Sequence, residues 1–551
     1  MTVRSFLGAA ILLAVAPAAA SVDDASAMSA YVRARAADSS GAAEQAARNY
    51  GVALALAPGN DVLAARALSQ AIAAGDRALA LQAARVLDTA GKLAPDGRLL
   101  LVGEAFRTRQ WKEAGRQIER LEQDEVFSFM TPLLRAWLAQ GSGKGKPLTL
   151  LAESKGNALA STYALEHHPL LLIAGGKPKE GAAELAPLIE EDSIRSQRLR
   201  IAAAAMLARK GGRQDALAIL KGDSEALVEA RRRVEAGKRL GGEIVTPAAG
   251  MAELLGRMAL DLNGQEVPQL ALSFARLATF LAPENAESWL IAADLLSGQG
   301  RHEAALAALA RVPRDDVFAG TAADRRMTVL VEGNRTTEAL AEARQAVADR
   351  PAEIDNWTRL GDILNESKSH KEAAAAYGKA LDLVKAGAVT RNPLWALWLL
   401  RGSALTQAGD WAAGKAALEE ARRLAPDQPV VLNFLGYSQL ERRENLAEAE
   451  KLIGEANRLQ PGDAAITDSL GWAHYVRGDV AKAIELLERA AQGQPTDAAI
   501  AEHLGDAYYS AGRRFEARYA WRAALHHAEG PAAERLRTKI DTGLRPDLAA
   551  P

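Results

Sequence analysis

Leu432-Asn433-Phe434-Leu435-Gly436-Tyr437-Ser438, Asp468-Ser469-Leu470-Gly471-Trp472 and His503-Leu504-Gly505-Asp506-Ala507-Tyr508 are three settings of one pattern. Each places a leucine before a glycine. Gly402 adds a fourth setting, and the steps from Gly402 to Gly436, Gly471 and Gly505 are 34, 35 and 34 residues. A small residue follows each glycine by about twelve positions: Gly414, Ala449, Ala483 and Ala517. A period near 34 marks repeated helix pairs, in which each unit buries its apolar face against its neighbours.

The period and the residues within it are those of tetratricopeptide repeats. That pattern asks for a large residue at position 4, Leu at 7, small at 8, large at 11, small at 20, large at 24, small at 27 and often Pro at 32. Trp357, Leu360, Gly361, Leu364, Ala373, Tyr377 and Ala380 match it throughout. Trp398, Gly402, Leu405, Gly414, Leu418, Ala421 and Pro426 follow, with Arg401 departing at position 7. Leu432 to Pro461 has one extra residue in its turn. Leu470 to Pro495 and Leu504 to Ala524 complete the series. Proline at 32 stops the second helix because it lacks the N–H donor and clashes with the preceding turn. Upstream the pattern weakens: Ala271, Ala278 and Pro283 fit, as do Ala46, Tyr50, Ala53 and Pro58, but 97–240 offers helix pairs with little consensus.

The expected fold is therefore all-α, a right-handed α-solenoid of about ten to twelve tetratricopeptide-type helix pairs. Alanine runs such as 202–205 and 373–376 favour helix. The expected divisions are a signal peptide at 1–20, degenerate repeats at 21–245, regular repeats at 246–530, and a capping helix with a frayed tail at 531–551. The Gly141 to Pro147 run reads as flexible, and Gly241 to Pro247 as the boundary between halves.

Arg4, the apolar run Phe6 to Val15, and Ala18-Ala19-Ala20 before Ser21 read as an export signal with a cleavage site, so the expected location is the periplasm. The chain has no cysteine, which excludes disulfides, thiolate metal sites and lipidation through cysteine. With 67 basic and 69 acidic residues the net charge is −2, so no global field recruits nucleic acid. No spanning segment is expected after the signal.

Catalytic patterns are not found. The run at 141–147 has Gln140 where a phosphate loop needs glycine and Pro147 where it needs Ser or Thr. His167-His168 and His526-His527 are adjacent pairs that diverge on a helix, and His474 falls on a core position. Neither G-x-S-x-G nor H-E-x-x-H occurs. The expectation is a non-enzyme without cofactor or metal.

Positions 5, 9 and 12 of each first helix should line the inner groove, one turn apart on one face. In the last three repeats they include Asn433 and Tyr437, then Asp468, Trp472 and Tyr475, then Glu502, Asp506 and Tyr509. These eight are the expected protein-binding residues. The aromatics would anchor a partner, the carboxylates would favour basic character in it, and Asn433 would bond its backbone. Packing of the aromatics against neighbouring repeats or a crossing C-terminal helix is the alternative.

The blocks quoted at the outset, with Glu516-Ala517-Arg518 and Trp521, resemble the C-terminal half of bacterial periplasmic tetratricopeptide adaptor proteins. The resemblance implies a partner of carboxyl-terminal processing proteases that helps present cell-wall hydrolases for degradation. It covers about 100 residues. Those adaptors carry a lipid-anchoring cysteine after the signal, whereas this chain has Ala20-Ser21. The leading expectation is thus a non-catalytic periplasmic protein-binding scaffold or adaptor, presenting substrates to an envelope protease in cell-wall maintenance. A structural component of an outer-membrane or secretion complex is the second expectation. An enzyme within 97–240 is the third.

Overall fold

The computed structural model describes residues 22–191, 193–388, 390 and 393–550; the expected signal peptide lies outside them. Among the described residues there are thirty α-helices, four short 3-10 helices and no strand. In chain order, twenty-eight helices make fourteen consecutive pairs, leaving Glu225–Glu235 and Gly530–Thr542 unpaired. The surplus over ten to twelve falls in 131–219. There the second helices Pro147–Leu151, Pro178–Leu185 and Arg213–Ile219 have only five to eight residues.

Contacts divide the chain into two compact units, Met1–Asn334 and Arg335–Pro551. The division does not fall at the expected 241–247 boundary. That stretch is packed within the first unit: Leu240 and Ile244 are buried, and the Thr246 hydroxyl caps the helix Pro247–Gly264 by accepting from the Ala249 N–H at 3.1 Å. Gly141 also departs from the flexible reading. A Cβ there would lie 2.2 Å from the Pro247 ring, so the residue is a close contact between helices.

In the first unit, Pro247–Gly264 runs through the middle and packs on Pro95–Arg107, Thr131–Ser142, Pro268–Leu281 and Ala286–Gly298. A Cβ on Gly250 would overlap the Trp137 ring at 2.2 Å. Trp137 is buried, and its Nε1–H donates to His167 Nδ1 at 3.0 Å. Nearby, Arg198 pairs with Glu253 at 2.8 Å and Glu287 at 2.5 Å, which ties three helices together through one buried cation.

The second unit explains the glycine ruler. A Cβ on Gly361 would meet the Tyr377 ring at 2.5 Å, on Gly402 the Leu418 side chain at 2.8 Å, and on Gly471 Leu487 at 2.8 Å. On Gly505 it would meet Trp521 at 2.4 Å. The small residue at position 8 therefore exists because the large residue at 24 lies across it, sixteen residues on in each of these four pairs. Gly436 meets Ile453 at 2.8 Å, seventeen residues on, because its turn holds an extra residue. Arg443 and Asn445 absorb that insertion with φ of 51° and 48°. Three of the corresponding turns use Gly409, Gly478 and Gly512 at φ of 82–89°, and the turn between Gly361 and Tyr377 uses Lys368 at φ 60°.

Caps and stops recur with the same period. Asp463 and Asp497 accept from the N–H of Ile466 and Ile500 at 3.0 Å. The first helices Leu394–Gln407, Pro429–Glu441 and Ala464–Val476 each touch the next first helix as well as their own partner, and Ala498–Ser510 ends the row. They form a continuous inner layer.

Candidate protein-binding face

The inner layer places the expected residues on one face, and the chain itself covers much of that face. Trp472 is only 3% exposed. Its indole stacks on Tyr475 at 4.6 Å and on His503 at 4.2 Å, both within 15° of parallel. His503, from the next first helix, lies 2.9 Å from the Asp468 carboxylate. Three rings from two repeats thus form one column, with a carboxylate at its end.

Glu502 and Asp506 stand beside the column, one turn apart. Both are buried, and their cationic partners come from the helix Gly530–Thr542. Arg535 donates to both oxygens of Glu502 at 2.8 and 2.7 Å, the two-pronged geometry a guanidinium favours. Lys539 is fully buried; its Nζ donates to Glu502 at 2.6 Å and to both Asp506 oxygens at 2.8 Å. Asp506 also accepts from the Trp521 indole N–H at 2.9 Å. A third donor to Asp506 is the backbone N–H of Ala550 at 2.8 Å.

The segment after this helix is correspondingly packed, not frayed as expected. Gly543 is buried at φ 87°, against the Tyr509 hydroxyl, which a Cβ would approach to 2.2 Å. Leu544 packs against the buried cluster of Trp521 and Leu536, as Tyr508 and Tyr509 do. Ala550 is buried in a cluster with Leu440, Trp472 and Ala473, edged by Tyr437 and Tyr475.

The cations paired with Glu502 and Asp506 on this face come from the segment. Asp468, Glu502 and Asp506 face Arg535, Lys539 and His503. Burial lowers the His503 pKa, but the Asp468 carboxylate, followed by Asp506 and Glu502, outweighs it and raises the pKa above the ordinary value. Burial raises the Asp506 pKa more than Lys539 lowers it. For Glu502 burial also acts upward, yet Arg535 and Lys539 win and hold the pKa below the ordinary range. Burial, then Glu441, Asp468 and Glu502, pushes the Tyr437 pKa upward.

Each of the eight expected residues has a definite place. Asp468, Trp472, Glu502 and Asp506 are buried, so they are not exposed anchors in this state. Asn433, Tyr437, Tyr475 and Tyr509 are half-buried. Tyr475 shares a 3.0 Å hydrogen bond with Ser510, and Tyr509 tilts over Trp521 at 5.5 Å. The Asn433 side-chain oxygen is buried and has no hydrogen-bond partner among the described residues. Sequence reasoning missed Lys539, Arg535 and Ala550. It also missed Phe515 and Tyr519, 72% and 60% exposed on a second helix, whose rings lie 5.0 Å apart. Their signal was two aromatics four residues apart on the polar side of Ala517.

A tetratricopeptide repeat family model matches residues 354–383, the helix pair that contains Gly361 and Tyr377. These residues are a tetratricopeptide repeat. The chain is 31% identical over 157 residues to the TPR repeat-containing protein PA4667 of Pseudomonas aeruginosa, which covers 28% of this chain and 26% of that protein. It thus spans about a quarter of the length of this curated relative. Among solved structures, Cut9 in the APC/C hetero-tetramer Cut9-Hcn1 is 16% identical, with a TM-score of 0.38, over 95% of this chain and 97% of that one. Yeast Tom70 is 13% identical, with a TM-score of 0.38, over 95% and 96%. No described helix is long and apolar enough to cross a membrane.

Proposed function

We propose that this chain is a non-catalytic periplasmic protein-binding scaffold that presents substrates to an envelope protease in cell-wall maintenance. The observation that carries the binding reading is the inner face of the second unit. Its ring column and its buried carboxylates hold chain in place by ion pairs and a backbone hydrogen bond. Fully desolvated aromatic and charged anchors of this kind dominate protein recognition. The export-type sequence at 1–20 and the resemblance to periplasmic adaptors support the location and the protease partnership.

The test is capture of the tagged full chain from envelope extracts, with partners identified by mass spectrometry. The expected result is a processing protease recovered together with a cell-wall hydrolase. Recovery of neither, under conditions where the bait stays folded, removes the adaptor reading.

A further inference from the structure

We infer that Arg535–Ala550 is a tethered occupant of the inner face, and that the partner segment which replaces it carries a basic residue followed by small apolar residues. The inference rests on the reading of that face as a protein-binding surface and names what it recognises.

The tethered segment supplies the template. Glu502, Asp506 and Asp468 are carboxylates on one face, and the His503 imidazole of the inner layer lies against Asp468. Lys539 neutralises the first two from a helix outside that layer. Two buried carboxylates close together cannot stay ionised without a cation at the same place. Whatever occupies the face must therefore bring one. Beyond the cation, Ala550 fits beside Trp472 and Leu440, and its N–H reaches Asp506. A buried methyl group and a peptide N–H are features any small residue in extended chain can supply. The buried Asn433 side-chain oxygen, without a partner among the described residues, is an acceptor for one further N–H.

The segment is joined to the last repeat through Ala528-Glu529, of which Glu529 is exposed. A short tether gives an effective concentration in the millimolar range. A partner in trans must exceed that, so the occupied face binds weak competitors poorly and rejects those without the cation. The segment then acts as a selectivity filter as well as a cover.

The test uses the full chain and a fluorescent synthetic peptide with the sequence of residues 530–551. Three forms are compared: wild type, Arg535→Glu with Lys539→Glu, and Gly543→Val, which drives 544–550 away from Tyr509 without touching the ion pairs. Helicity of each is checked by circular dichroism. Peptide binding should be at least tenfold tighter to the Arg535→Glu, Lys539→Glu form than to wild type, and should gain less in Gly543→Val, where Lys539 still holds both carboxylates. A peptide carrying Lys539→Glu should not bind. Equal binding to all three forms, or no binding to any folded form, overturns the inference. So does an intact wild-type dimer whose copies exchange this segment, seen by light scattering and loss of dimer in the Gly543→Val form. Failure here leaves protease capture through another face standing, so the two readings fail separately.

Discussion

Two buried tryptophan–histidine pairs, one in each unit, show how neighbours decide what a residue does. In the first unit Trp137 meets His167 edge-on, and its indole N–H takes the Nδ1 lone pair. Burial, then the Arg198 charge, pushes the His167 pKa down to about 4. In the second unit Trp472 stacks flat on His503, which faces Asp468, Glu502 and Asp506 and is pushed upward. The first pair is a neutral strut beside a cation. The second is part of an anionic surface that needs cations. Both regions also hold a buried cation with two carboxylates: Arg198 with Glu253 and Glu287, and Lys539 with Glu502 and Asp506. Arg198 joins helices of the scaffold, whereas Lys539 belongs to a helix that covers the inner layer.

That difference predicts the largest contrast. Arg198→Ala leaves Glu253 and Glu287 buried without a counter-charge, a change worth about 3–5 kcal/mol. It should abolish slow hydrogen exchange throughout the helix Ala158–Ala174 and its neighbours. Lys539→Ala should cost the repeats much less, because its segment can lift away and let water reach Glu502 and Asp506. Exchange should then rise in 530–550 and stay slow in Ala464–Val476. Equal losses in both units would erase the distinction between strut and cover.

A smaller contrast concerns two helical glycines. Gly505→Ala forces a Cβ to 2.4 Å from the Trp521 ring and should destabilise by about 1–3 kcal/mol. Gly256→Ala in the first unit puts its Cβ no nearer than 3.6 Å to Ile291. It should stabilise by up to about 1 kcal/mol through helix propensity. Urea unfolding of the full chain, followed by exchange in each unit, checks both.

A further contrast is a pair of opposed pH slopes, worth about 1.4 kcal/mol for each unit by which a folded pKa departs from the unfolded one. His167 is depressed, so its stabilisation is present above about 6.5 and is lost as pH falls from there toward 4. His503 is raised, so its contribution is complete below about 6.5 and is lost as pH rises through the elevated value. His167→Gln should flatten the acid limb of the first unit, and His503→Gln the alkaline limb of the second. Slopes of the same sign in both units would refute the assignment of charge.

The fold was legible wherever one residue reports on another across the pair. Gly361 with Tyr377 and Gly505 with Trp521 are such couples, and their spacing survives in sequence. In 131–219 it does not, because a five-residue second helix such as Pro147–Leu151 cannot carry positions 20, 24 and 27. Positions 5, 9 and 12 of the last three first helices do fall on the inner layer. A crossing C-terminal helix was legible as the alternative, but the residues through which it covers this layer were not, because periodicity says nothing of chain arriving from outside the repeats. Lys539 and Ala550 reach Asp506 from 33 and 44 residues away. The readable clue was charge: a basic helix at 533–541 following the acidic positions 468, 502 and 506.

The central claim is that residues 543–550 occupy the inner face of the second unit. Hydrogen–deuterium exchange on the peptic fragment that ends the chain tests it most directly. The account predicts protection of the Ala550 amide and its neighbours in the intact protein, falling to free-chain rates in Lys539→Ala. Free-chain exchange of this fragment in the intact protein, with the repeats still protected, would contradict it.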